Sequence, residues 1–205
     1  MFTGIIEAVA CILTISRTAD AMTIQVEMPF SHVGLGDSIA VDGVCLTVTR
    51  IEGPSCFFDV SAETLHKTYF NDLEIGQLVN LEQATRANSK MGGHYVTGHV
   101  DCTLRLHYFE QFDNYVKMRI GGFDNNQARF LIPKGSITVN GVSLTINDVT
   151  NDSFELMLVP HTLQHTTLQH LFEGQWVNIE FDYMARLVAH QLEYYLEHTL
   201  KKIKG

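Results

Sequence analysis

The chain has 205 residues, 45% of them hydrophobic and 18% charged, enough apolar material for one large core or two ordinary ones and too much for a disordered chain. Fourteen Lys and Arg stand against 23 Asp and Glu, a net charge of −9, which argues against nucleic acid and against an anionic membrane surface, because both need a basic face. Four cysteines (Cys11, Cys45, Cys56, Cys102) form no CxxC pair, so neither a thiolate zinc site nor a disulfide framework is supported, and a reducing cytoplasm fits best.

The opening, MFTGIIEAVACILTI, is apolar but has no basic stretch and contains Glu7, so it is expected to be folded chain and not a leader. No run approaches the roughly 20 apolar residues of a membrane span. Ser38–Val41 alternates small or polar with apolar residues and leads into Asp42-Gly43, a dipeptide that tolerates the positive φ of a tight hairpin. Cys45–Thr49 is rich in β-branched residues, and further strands are expected over Cys56–Val60 and Gln77–Glu82.

The same series then returns at an offset of 98 residues. Ser136–Val139, Asn140-Gly141, Ser143–Ile146, Phe154–Val159 and Gln175–Asp182 repeat it, with 17 identities in the 45 ungapped positions between Ser38–Glu82 and Ser136–Glu180. The opening FTGIIE (Phe2–Glu7) likewise matches VTGHVD (Val96–Asp101). A period this long is not a solenoid. It predicts two domains of one fold joined near residues 85–90, with short strands and turns spaced as in small closed barrels. The expected units are residues 1–88, 89–182 and a tail, 183–205. That tail has no Gly or Pro from Tyr183 to Lys202, and Val188, Leu192, Tyr195, Leu196, Leu200 and Ile203 fall at three- and four-residue spacings, predicting one apolar stripe on a helix. The stripe packs either on the chain's own barrels or on the same helix of other subunits. Trp176 and the Phe and Tyr residues are expected in the cores.

MFTGI, GDSIAVDGVCLTVT, MGGHYVTGHVD, KGSITVNGVSLTI and VNIEFD, in this order and spacing, closely resemble the riboflavin synthase family from Met1 to about Arg186. The resemblance implies an all-β fold of two similar six-stranded antiparallel barrels with a C-terminal helix that holds a homotrimer together. It implies one active site between the N-terminal barrel of one subunit and the C-terminal barrel of its neighbour. The implied reaction is dismutation of two 6,7-dimethyl-8-ribityllumazines, without metal or redox cofactor, because the electron-poor ring makes the 7-methyl protons acidic. Lumazine synthase, which makes that substrate, is a candidate partner. The alternative is a relative that binds lumazine or flavin and catalyses nothing.

Such a reaction needs approach geometry, a proton acceptor and a nucleophile or polariser. The copies differ where those groups would sit: Cys45 faces Ser143 in the alignment, and Ile5 faces His99. His99 suits proton transfer near neutral pH, Ser143 can add to or polarise a ring carbon, and Cys45 serves as a thiolate if its surroundings allow. Thr47 and Thr145 offer hydroxyls; Gly4, Ile5, Gly98 and Val100 offer backbone groups. By position, the resemblance adds Ile6, Leu46, Leu144, Asp59, Val60, Ser61, Ala62, Glu63, Thr64, Val159, Pro160, His161, Thr162, Leu163, Gln164 and Lys134 as walls around the ring and ribityl chain. Asp182 either caps the final helix or orients a catalytic group. His161 stands where the family has an acidic residue, and the run His161, His165, His170 lacks the further ligands of a metal site.

Overall fold

The computed structural model describes residues 1–18 and 21–203, with side chains as far as His198; Leu200 and Ile203, assigned to the apolar stripe, lie outside the described side chains. The first half folds into strands β1 (Ala8–Arg17), β2 (Ala21–Glu27), β3 (Ser38–Val41), β4 (Val44–Glu52), β5 (Ser55–Ser61) and β6 (Leu78–Gln83). They close in the order β1-β2-β5-β4-β3-β6, all antiparallel. The second half repeats this with β7 (Cys102–Phe112), β8 (Tyr115–Gly121), β9 (Ser136–Val139), β10 (Val142–Val149), β11 (Ser153–Leu158) and β12 (Trp176–Phe181), in the order β7-β8-β11-β10-β9-β12. Register shifts near Thr14, Arg50, Tyr108 and Asp148 mark irregularities of the kind that let a six-stranded sheet curl shut.

Strand alternation decides what is inside. Ile12, Ile24, Val26, Phe58, Val79 and Leu81 fill the first barrel, and Leu106, Met118, Ile120, Ile137, Ile146, Leu156 and Ile179 the second, all fully buried. Each such side chain contributes about 1.5–3 kcal/mol of transfer free energy. Both hairpin dipeptides take positive φ at both residues (Asp42 42°, Gly43 82°; Asn140 44°, Gly141 81°), as the sequence suggested. The two turns touch: a Cβ on Gly43 would lie 2.7 Å from the Gly141 nitrogen.

That contact sits within a reciprocal hydrogen-bond set between the barrels. Asn80 Nδ2 donates to the Asn140 carbonyl and Asn178 Nδ2 to the Asp42 carbonyl, while Asn80 Oδ1 accepts from Thr167 N and Asn178 Oδ1 from Tyr69 N. Asp42 and Asn140 each accept a backbone N–H, from Asn80 and Asn178 respectively. The symmetry breaks at Asp42, which also accepts from the Tyr69 hydroxyl where the second copy has Asn140 and Thr167. Burial raises the Asp42 carboxyl to about 7.

Short helices follow β5 and β11: α1 (Ala62–Lys67), capped by the Ser61 hydroxyl, and α3 (Pro160–His165), with proline at its start. A single turn, α2 (Asn125–Ala128), precedes β9. The chain ends in α4 (Tyr183–Ile203). Asp182 accepts from Met184 N at 2.9 Å, so it caps α4, one of the two roles foreseen for it. The stripe on α4 does not pack on the chain's own barrels: Val188 is 63% exposed, Leu192 56% and Tyr195 62%. With Arg129 and Ile132 this face forms a groove of about 690 Å³. Trp176 corrects the expectation of a core residue. It opens β12 on the outward side, 42% exposed, with the Arg105 guanidinium 4.8 Å from its ring. No helix among the described residues is long and apolar enough to cross a membrane.

Candidate active site

Each TG opening leaves its own barrel and lies across the other one. Gly4 O accepts from Ser143 N at 2.7 Å, and Gly98 O accepts from Cys45 N at 2.9 Å. Phe2, buried beneath the junction with Ala40, pairs with Val96 in an isolated bridge. The approach is too close for a side chain at the two glycines: a Cβ on Gly4 would meet the Ser143 Cβ at 2.6 Å, and one on Gly98 the Cys45 Cβ at 2.5 Å, both at positive φ.

Buried carboxylates hold these openings in place. Glu82 accepts from Thr3 N, Thr3 Oγ1 and Gly4 N at 2.6, 2.8 and 2.9 Å. Glu180 accepts from Thr97 N, Thr97 Oγ1 and Gly98 N at 2.7, 2.7 and 2.9 Å. Burial raises both pKa values, and these donors offset the rise only in part. Neither glutamate was singled out from sequence, although VNLE and VNIE close the two copies at equivalent positions.

Around each crossing the outer barrel face supplies the remaining groups. Cys45 and Thr47 of β4 point outward while Leu46 is core, and Ser143 and Thr145 of β10 point outward while Leu144 is core. Leu46, Leu144 and the buried Val60 can therefore line a site only through their backbone. Asp59 and Ser61 project from β5 beside β4, with Thr23 Oγ1 donating to Asp59 at 2.8 Å, and Ala62, Glu63 and Thr64 lead into α1. Val159 is exposed, and Pro160, His161, Thr162, Leu163 and Gln164 form the matching ledge of α3. His161 and His165 lie with ring centroids 4.1 Å apart and planes tilted by 33°, and no cluster of three or more metal-ligating side chains exists among the described residues. Lys134 takes φ of 68° where the first copy has Gly36 at 85°, so the backbone bears a lysine in a conformation that favours glycine.

The largest finding is a residue absent from the sequence-derived site. His94 reaches Ser143, its Nδ1 2.7 Å from the hydroxyl, and its Nε2 lies 3.2 Å from Thr138 Oγ1. Burial lowers the His94 pKa and the nearby Asp182 charge partly restores it, so the ring is a neutral base at neutral pH. The signal was visible in GGHYVTGH, which holds two histidines five apart; only the second stood in the internal alignment. His99, exposed, lies on the segment that crosses Cys45, not beside Ser143. Ile5 and Ile6 lie on the segment that crosses Ser143.

Residues 3–84 and 97–182 match the lumazine binding domain, which defines the class as a tandem pair of lumazine-binding barrels. Riboflavin synthase of Bacillus subtilis is 42% identical over 98% of this chain and 96% of its own, and that of Photobacterium phosphoreum 40% identical over 94% and 89%. The crystal structure of LumP complexed with 6,7-dimethyl-8-(1′-D-ribityl)lumazine superposes with a TM-score of 0.80 at 28% identity, covering 88% of this chain and 98% of that one. The chain belongs to the riboflavin synthase family.

Proposed function

We propose that this chain is a transferase that dismutates two molecules of 6,7-dimethyl-8-(1-D-ribityl)lumazine into riboflavin and 5-amino-6-(D-ribitylamino)uracil, the closing step of riboflavin biosynthesis. A four-carbon unit passes from one lumazine to the other. The two products together contain every atom of the two substrates, so the balance calls for no oxidant, reductant or water.

The observation that carries this reading is the His94 imidazole held against the Ser143 hydroxyl at one of the two related cradles, with burial favouring its neutral form. A pure binding protein needs no base poised on a hydroxyl. Ser143 gives its proton to His94 as its oxygen adds to, or polarises, an electron-poor ring carbon. A second acceptor, His99 at the other cradle, takes the proton that leaves the 7-methyl, because His94 already holds the one from Ser143. Lys134 supports the unequal roles, since its strained backbone places a cation where the first barrel has glycine.

Cys45 and Ser143 cradles lie on different barrels, and two stacked rings need cradles that face each other. The exposed stripe of α4 supports a homotrimer in which the N-terminal barrel of one subunit faces the C-terminal barrel of the next. Holding two rings in reacting geometry is worth about 7–11 kcal/mol, more than one acid–base group supplies. The test is direct: protein mixed with the lumazine yields riboflavin at half the molar amount of substrate consumed. A change in lumazine emission with no riboflavin formed would assign binding alone.

A further inference from the structure

The ring of His94 is gripped from both sides, by hydroxyls that stand directly opposite one another on a single β-ladder. Thr138 of β9 and Ser143 of β10 are cross-strand partners, and the imidazole bridges them, Nε2 to Thr138 and Nδ1 to Ser143. Thr138 is 1% exposed, so its hydroxyl is out of reach of bulk water, and His94 is its one side-chain hydrogen-bond partner among the described residues. The first barrel has the same ladder with Ala40 opposite Cys45, both lacking a hydroxyl. Ala40 is as buried as Thr138, so this position accepts a side chain with no polar atom and the fold does not require the threonine.

A neutral imidazole carries one N–H, and only the nitrogen without it can accept the Ser143 proton. We propose that Thr138 is a positioning residue of this half-site: its hydroxyl accepts the Nε2–H of His94, and so leaves Nδ1 free as the base toward Ser143. The proposal rests on the reading of Ser143 and His94 given above. With the tautomer reversed, Nδ1–H would donate to Ser143 and the pair could not withdraw its proton. Thr138 never touches the substrate; it acts through the ring. The charges around the ring are consistent with this division of labour. Asp182 acts on His94 through space and favours the imidazolium that forms once the serine proton is taken. The carboxylates of Glu180 and Glu82 are occupied by Thr97 and Gly98 and by Thr3 and Gly4.

Two measurements test this. In the ¹⁵N-labelled wild-type protein at neutral pH, the His94 ring should show a protonated Nε2 and a bare Nδ1; a protonated Nδ1 overturns the proposal, whether or not the protein turns over lumazine. In the second, Thr138→Val keeps the β-branched shape and removes the acceptor. Its turnover should fall about tenfold, as expected for one lost hydrogen bond to the reacting base, with lumazine affinity within about twofold of wild type. The acidic limb of its pH–rate profile should move, and Thr138→Ser should restore both. A Thr138→Val enzyme with unchanged rate and pH profile, or a loss that Thr138→Ser fails to rescue, overturns it. Inert wild-type protein would instead refute the activity assigned above and leave the tautomer measurement standing.

Discussion

The two cradles are built on one plan and differ at few positions. In the first, Gly98 O accepts from Cys45 N, Ala40 faces Cys45 across the ladder, Gly36 makes the turn before β3, and no imidazole is hydrogen-bonded to the thiol among the described residues. In the second, Gly4 O accepts from Ser143 N, Thr138 faces Ser143, Lys134 makes the turn, and His94 bridges the two hydroxyls. Equal cradles would bind two equal rings and do no more. Thr138, Ser143, Lys134 and His94 gather on the second side while His99 stands at the first, so duplication supplies the binding and divergence supplies the chemistry.

Four further experiments break or sharpen that comparison. The largest effect is expected from removing residues 183–205. If the cradles cooperate only between subunits, the truncated protein sediments as a monomer and its turnover falls by about 10²-fold or more, given the weight of orientation in this reaction. A fully active monomer refutes the shared site. Next, His94→Ala and Ser143→Ala should each lower kcat by about 10²- to 10³-fold while lumazine affinity, followed by fluorescence, stays within a few-fold. His99→Ala should cost less, because its ring is exposed and has no side-chain hydrogen-bond partner among the described residues.

Lys134→Gly gives the second barrel the turn residue of the first. Relief of the positive φ should leave thermal stability equal or up to about 1 kcal/mol higher, while turnover falls about tenfold if the ammonium acts at the site. Unchanged kinetics would make Lys134 a surface residue.

The smallest effect concerns the junction. Asp42 has its carboxyl raised from 3.8 to about 7 by burial, so its protonated form is favoured in the folded state. The stability it contributes is complete below about pH 4 and is lost as the pH rises through about 7. Asp42→Asn copies Asn140, keeps an acceptor for Asn80 N and offers a donor to the Tyr69 oxygen. It should flatten the fall in unfolding free energy between about pH 4 and pH 7, and gain about 1–2 kcal/mol at pH 8. An unaltered pH slope in denaturant titrations would show that Asp42 is not the group responsible.

Much of this architecture was legible before any coordinates, because the relevant signals are local. Period-two alternation, the Asp42-Gly43 and Asn140-Gly141 turns and the 98-residue repeat all act within a few residues of themselves, and strands over these segments follow directly. The exchange of Cys45 for Ser143 was readable for the same reason. The short helices α1 and α3 carry too few turns to show a period, and Trp176 misled because an aromatic residue is equally at home inside a strand's core face or under a guanidinium outside it.

What the sequence by itself determined was therefore the repeated barrel and most of the residues around its outer faces. Only the tertiary structure decided which of them meet. His94 lies 49 positions from Ser143 and Glu180 lies 83 from Thr97, and these pairs exist only in the closed barrel that brings its two ends together. Side-chain pairing at that separation leaves no periodic trace in the chain; it is set by where two closed sheets can approach, which here is at the glycines that leave no room for a side chain between them.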